Sequence, residues 1–149
     1  MTLRRPRTGQ PVSILLVDDN PGDVRLTRKA LDDWSVPVQL AVASDGEEAL
    51  RVLRASDDGH PPPDLILLDL NLPKLDGREL LARVKRDPHL RHIPVIELTS
   101  STRESDVRTC YGKHASCYLN KPGEFRQLAA MMKAIHDFWL LLVELPGRA

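Results

Sequence analysis

Five short apolar runs, Val12–Val17, Val38–Ala43, Leu65–Leu70, Val95–Leu98 and Cys117–Leu119, alternate along the chain with segments of helical spacing. Runs of this kind, bounded by polar or turn residues, read as strands covered on both faces. The segments between them carry helix start signals. Asn20-Pro21 offers an N-cap and a proline at the first helical position, and Ser44–Glu47 and Ser101–Glu104 fit the capping-box spacing. Leu80, Leu81 and Val84 mark a helix that ends near Asp87-Pro88. A fourth helix, from about Thr102 to Tyr111, has little apolar surface and is expected to pack weakly. The last begins after Pro122 and runs through Phe125, Leu128, Met132, Ile135 and Trp139. Each parallel strand pair needs a right-handed crossover, so this alternation predicts an α/β, doubly wound five-stranded parallel sheet.

Length and charge narrow the range of functions. At 149 residues the chain has room for one domain. Residues 1–11, with Arg4, Arg5 and Arg7 among Pro6, Gly9 and Pro11, read as a flexible basic lead. Lys plus Arg and Asp plus Glu each total 21, so no global field draws the chain to nucleic acid or anionic lipid, and direct DNA binding and membrane association are not expected. No apolar run reaches the roughly 20 residues of a membrane span, and the start lacks a secretion signal, so the expected location is the cytoplasm. Cys110 and Cys117 are read as reduced packing residues.

The chemistry lies where polar residues end the apolar runs. Asp18 and Asp19 close the first strand, Asp69 the third, Thr99 the fourth and Lys121 the fifth. Parallel strands place all these ends along one edge, where doubly wound folds bind ligands. Three carboxylates converging there repel one another unless a cation sits among them, and hard oxygen donors select Mg²⁺. Asp69 then suits a phosphorus-attacking nucleophile, with Lys121 neutralising charge on the transferring group and Thr99 hydrogen-bonding it. Taken singly, each residue also fits a turn or a cap. Asp69 inside Leu65-Ile66-Leu67-Leu68-Asp69-Leu70 does not, because burial and β-propensity both oppose a gratuitous charge there.

From Val12 to about His136 these residues resemble the receiver domain of two-component response regulators. Val17-Asp18-Asp19-Asn20 looks like its acidic pair, and Leu68-Asp69-Leu70-Asn71-Leu72-Pro73 with Asp76-Gly77 like its phosphoacceptor strand and loop. Tyr118-Leu119-Asn120-Lys121-Pro122 looks like the closing lysine segment. The resemblance implies strand order 2-1-3-4-5 and a receiver domain over 12–136. It implies Asp69 as phosphoacceptor from a partner histidine kinase, and Mg²⁺ ligated by Asp19, Asp69 and the Asn71 backbone carbonyl, with Asp18 just behind them. Thr99 and Lys121 would hold the phosphoryl oxygens, Thr99 and Tyr118 would form the switch, and Lys121–Pro122 would be a cis peptide. Asn20-Pro21-Gly22-Asp23, Asn71-Leu72-Pro73 and Asp137-Phe138-Trp139 are similar to single-domain regulators paired with phytochrome-type kinases.

Two features depart from that pattern. Glu97 stands in the fourth run where an apolar residue is usual, and a buried acid there needs a basic partner, a shifted pKa or an uncovered face. Ser101 stands at a position that influences phosphoryl lifetime in the family. Beyond the receiver length, Ile135, Phe138, Trp139, Leu142 and Leu145 form an apolar stripe at helical spacing. Residues 137–149 are therefore expected to form an extended helical arm that dimerises, with Phe138, Trp139, Leu142 and Leu145 in the contact; the alternative is that this helix folds back on its own core. Two rival functions remain open from sequence. An Asp-nucleophile, Mg²⁺-dependent phosphatase expects a second acid two residues after the nucleophile, where this chain has Asn71. A non-signalling dimeric interaction module has no need of Asp18, Asp19, Asp69, Thr99 and Lys121 together.

Overall fold

The computed structural model describes residues 11–55, 61–99, 104–122 and 124–142. Its order is β1 (Val12–Val17), α1 (Pro21–Leu31), β2 (Val38–Ala43), α2 (Gly46–Arg54), β3 (Leu65–Leu68), α3 (Gly77–Arg86), β4 (Val95–Thr99), α4 (Glu104–Gly112), β5 (Cys117–Asn120) and α5 (Phe125–Ile135), which continues as a π-helical segment, His136–Leu142. The strands form one parallel sheet in the order β2-β1-β3-β4-β5, as the alternation and the resemblance imply. No helix among the described residues is long and apolar enough to cross a membrane.

Two apolar layers hold the sheet. One face packs against α2, α3 and α4 through Leu15, Val17, Ile66, Leu68, Leu50, Leu81 and Cys110; the other packs against α1 and α5 through Ile14, Leu16, Leu67, Leu31, Leu128 and Met132. All four side chains of Leu65–Leu68 are at most 1 % exposed, each worth about 1.5–3 kcal/mol of burial. That anchors β3 in the sheet centre and makes its end a rigid platform. The strand is shorter than the apolar run because the Leu70 carbonyl accepts from the Leu72 and Gly77 amides, turning the chain out of the ladder. Gly77 is required there: a Cβ would overlap the Asp69 carbonyl and lie 2.7 Å from Leu70 Cα. β2, at the sheet edge, is not covered on both faces as expected; Gln39 and Ala41 are exposed between half-buried neighbours.

The helix starts follow local chemistry. Asn20 caps α1, its side chain accepting from Gly22 N at 2.9 Å and Asp23 N at 3.1 Å. The second cap lies one residue later than Ser44–Glu47 predicts. Asp45 is the N-cap and accepts from Glu48 N at 2.8 Å, while the Glu48 carboxylate takes the Ser44 amide and hydroxyl. Glu48, not Glu47, has the reach because it stands at the third helical position after Asp45. The Ser101–Glu104 box and the role of Ser101 fall outside the described residues.

The carboxy-terminal segment folds against its own domain. Ser35 Oγ lies 3.1 Å from His136 Nε2, His136 Nδ1 lies 2.9 Å from Asp137 Oδ1, and the His136 ring packs against Trp34 with centroids 5.2 Å apart and planes tilted by 54°. Leu140 is fully buried and Trp139 packs on the α1–α5 layer, whereas Phe138 is 51 % exposed. The Leu142 backbone belongs to the π-helical segment, and Leu145 lies outside the described residues.

Candidate functional site

The C-terminal ends of β1, β3, β4 and β5 bring Asp18, Asp19, Asp69, Thr99 and Lys121 to one edge of the sheet. Asp18 leaves β1 with its amide bonded to the Ala43 carbonyl of β2 at 3.0 Å. Its carboxylate is held at both oxygens: Oδ1 accepts from Asn20 N at 3.0 Å and Oδ2 from Lys121 Nζ at 2.7 Å. Asp69 is bracketed similarly. Its Oδ1 accepts from the Thr99 hydroxyl at 2.9 Å and the Asn71 amide at 3.2 Å, and Oδ2 accepts from Lys121 Nζ at 3.4 Å.

Lys121 is aimed by its backbone, whose amide donates to the Thr99 carbonyl at 2.7 Å. Its ammonium reaches a further acid that sequence reading did not assign, Asp23, at 3.1 Å. Asp23 stands in the first turn of α1, so the Asn20 cap that orients that turn also delivers it; the signal was the cap itself. The Lys121–Pro122 peptide is trans, as no cis bond occurs among the described residues. The two proline isomers differ by only about 0.5–1 kcal/mol, and the ammonium reaches all three acids in the trans form.

Among the described residues, electrostatics describe a site short of positive charge. Burial pushes the Asp18 carboxyl up, and the hydrogen bond and charge of Lys121 only partly oppose this, with Asp69 adding to the rise. Burial pulls the Lys121 ammonium down, but Asp18, Asp69 and Asp23 together outweigh it and hold Lys121 above its usual range. One ammonium thus serves several acids. Carboxylate oxygens of Asp18, Asp19 and Asp69 all lie within 4.8 Å of one another, a donor set that fits a hard divalent cation. Asp19 and Asn71 are exposed, Thr99 is fully buried and Asp69 is 9 % exposed, so the Asp69 carboxylate is recessed beneath a solvent-accessible rim.

Tyr118 lies half-buried against the α2–α3–α4 layer, and its amide donates to the Tyr111 hydroxyl oxygen at 3.2 Å. Glu97 is entirely buried, and neither carboxyl oxygen has a hydrogen-bond partner. Of the three outcomes open from sequence, the shifted pKa holds: burial, with Asp69 and Asp76 adding and the Arg78 charge opposing, pushes the carboxyl up to about 9.

Comparison with known proteins agrees with this geometry. Residues 14–133 match the response regulator receiver domain family. The chain is 44 % identical to the response regulator Rcp1 of Synechocystis sp. over 139 residues, covering 92 % of this chain and 95 % of Rcp1. It superposes on the Mn²⁺-bound form of Rcp1 with a TM-score of 0.86 at 43 % identity, covering 92 % of this chain and all of that one. For the phosphorylated cyanobacterial phytochrome response regulator RcpA the TM-score is 0.88 at 44 % identity, covering 93 % of this chain and all of the other. With the acidic edge and the β2-β1-β3-β4-β5 sheet, these matches establish that the chain belongs to the response regulator receiver domain family, signalling proteins rather than enzymes.

Proposed function

We propose that this protein accepts a phosphoryl group on Asp69 from a phytochrome-type histidine kinase in the cytoplasm. In this reading it passes the signal on through its α4–β5–α5 surface, as a homodimer. The observation that carries the reading is the bracketing of one recessed carboxylate, Asp69, by a hydroxyl, an amide and an ammonium, in a chain similar to a phosphorylated phytochrome response regulator.

The residues suit the transfer. Asp69 Oδ forms the new O–P bond as the P–N bond to the kinase imidazole breaks and the electron pair leaves with the ring nitrogen. Lys121 meets the charge of the transferring group, and the Thr99 hydroxyl, already donating to Asp69 Oδ1, follows the incoming oxygens. A magnesium ion held by Asp19, Asp69 and the Asn71 carbonyl, with Asp18 behind them, supplies further charge neutralisation when bound. Two hydrogen bonds to a charged group, at about 1.5–3 kcal/mol each, approach the roughly 5.5 kcal/mol needed to invert a 1:99 equilibrium. Bonds of this kind from Thr99 and Lys121 support a large shift between two states, which Tyr118 follows.

The test is phosphoryl content after mixing with candidate phytochrome kinases in light and dark, starting unloaded and preloaded from acetyl phosphate. Label gained with Mg²⁺ and abolished by Asp69→Asn is the expected result. Failure to take label from either donor would reject the reading and leave an interaction module.

A further inference from the structure

Glu97 has no part in the chemistry above, yet it occupies the centre of β4 with 0 % exposure and both carboxyl oxygens unpartnered. Leaving a buried polar group unmet is destabilising, and an apolar side chain of similar size avoids that cost. Its position links it to the switch. In the sheet register Glu97 lies beside Leu68 of β3 on one side and Tyr118 of β5 on the other. Strand alternation places it on the same sheet face as Thr99, two residues on, whose hydroxyl touches Asp69. Adjacent strands run about 4.8 Å apart, so Glu97 and Tyr118 are cross-strand neighbours on the sheet face whose apolar layer includes Leu68, Val95 and Cys110.

We propose that Glu97 is a positioning residue of the switch: its buried carboxyl is the hydrogen-bond partner that the Tyr118 hydroxyl meets when Asp69 is phosphorylated. The inference rests on the phosphoacceptor reading of Asp69 and extends it. Tyr118 is the polar side chain beside Glu97 in the register, and it stands half-buried at the rim of the layer. At neutral pH the carboxyl keeps its proton, so it offers both an O–H donor and a carbonyl acceptor to a phenol. A neutral acid also avoids repelling the phosphoryl group nearby. Glu97 acts through Tyr118 and touches neither the phosphoryl group nor the metal ligands.

The experiment measures affinity for beryllofluoride, a phosphoryl mimic, in Mg²⁺ with the full chain and the variants Glu97→Gln, Glu97→Leu, Tyr118→Phe and Glu97→Leu/Tyr118→Phe. One neutral hydrogen bond corresponds to up to about tenfold. Glu97→Leu and Tyr118→Phe should each bind about tenfold more weakly, the double variant no more weakly than either, and Glu97→Gln within about twofold of the parent. Thermal melting without metal checks that Glu97→Leu folds at least as stably as the parent. Parental affinity in Glu97→Leu, or additive losses in the double variant, would overturn the proposal while leaving the phosphoacceptor reading intact. No binding by the parent chain would overturn that reading and the proposal with it.

Discussion

Lys121 and Asp18, 103 positions apart in sequence, meet at 2.7 Å with side chains only 10 % and 2 % exposed. The pair ties the end of β5 to the end of β1 across the middle of the sheet, and the same ammonium reaches Asp69. Removing one partner of a buried pair leaves a charge uncompensated, and that costs more than the pair contributes. Lys121→Met should therefore lower the unfolding free energy by about 3 kcal/mol in chelator, and added Mg²⁺ should recover part of the loss. Urea denaturation with and without the metal measures both effects, and an unchanged midpoint in chelator would count against the pairing.

The crowding of Asp18, Asp19 and Asp69 predicts a second behaviour. Magnesium should raise the melting temperature of the parent chain, by an amount equivalent to about 2.7 kcal/mol at a hundred times the dissociation constant. Asp69→Asn removes one charge from the crowd, so it should melt higher than the parent in chelator and respond less to Mg²⁺. Calorimetry across a Mg²⁺ series distinguishes the two; equal responses would argue against Asp69 as a ligand.

Glu97 should leave a signature in stability against pH. Below its ordinary value of 4.5 the carboxyl is neutral folded and unfolded, so its burial has no ionic cost. Between about 4.5 and about 9 the unfolded chain loses the proton and the folded chain keeps it, so stability falls by up to about 1.4 kcal/mol per pH unit. Above that range the contribution is fully lost and the curve levels. Asp69, Asp76 and Arg78, the charged groups acting on it, are retained in Glu97→Gln. The variant should therefore gain on the parent steadily from pH 5 to 9, and parallel denaturation profiles over that range would contradict the assignment.

The carboxy-terminal expectation is best tested at Phe138. Truncation after Asp137 would also remove the buried Leu140 and the Trp139 that packs on the α1–α5 layer, mixing folding with association. Phe138 is 51 % exposed and stacks edge-on with Trp139 at 5.6 Å, so Phe138→Asp changes the surface and spares the core. If a dimer forms there, sedimentation should show the variant shifted to monomer with an unchanged melting temperature. An unchanged dimer would place the contact elsewhere.

Much of this fold was legible because its signals are local. An apolar run bounded by polar residues reads as a strand wherever it lands, and Asn20-Pro21 caps α1 with atoms no more than three residues apart. The residues at the strand ends were readable for a related reason. Parallel strands gather their C-terminal ends on one edge, so topology alone brings Asp18, Asp69, Thr99 and Lys121 near one another. The displaced cap at Asp45 was less legible, since Ser44 and Asp45 both suit the role and only the backbone path into α2 chooses between them.

What a one-dimensional pattern does not carry is which individual groups meet and what covers them. The convergence of Lys121 on Asp18, Asp23 and Asp69 requires contacts across 103, 98 and 52 positions, set by the stacking of whole elements rather than by any local preference. The same holds for Glu97. Its place in an apolar run signalled a conflict, but its full burial without a partner follows from α3 and α4 covering that face, and its protonation follows from the burial. The amino-acid sequence determined the strands, the helices and the edge where their chemistry gathers; the packing of layers decided which side chains pair there, which acid keeps its proton, and which face of the terminal helix stays open to solvent.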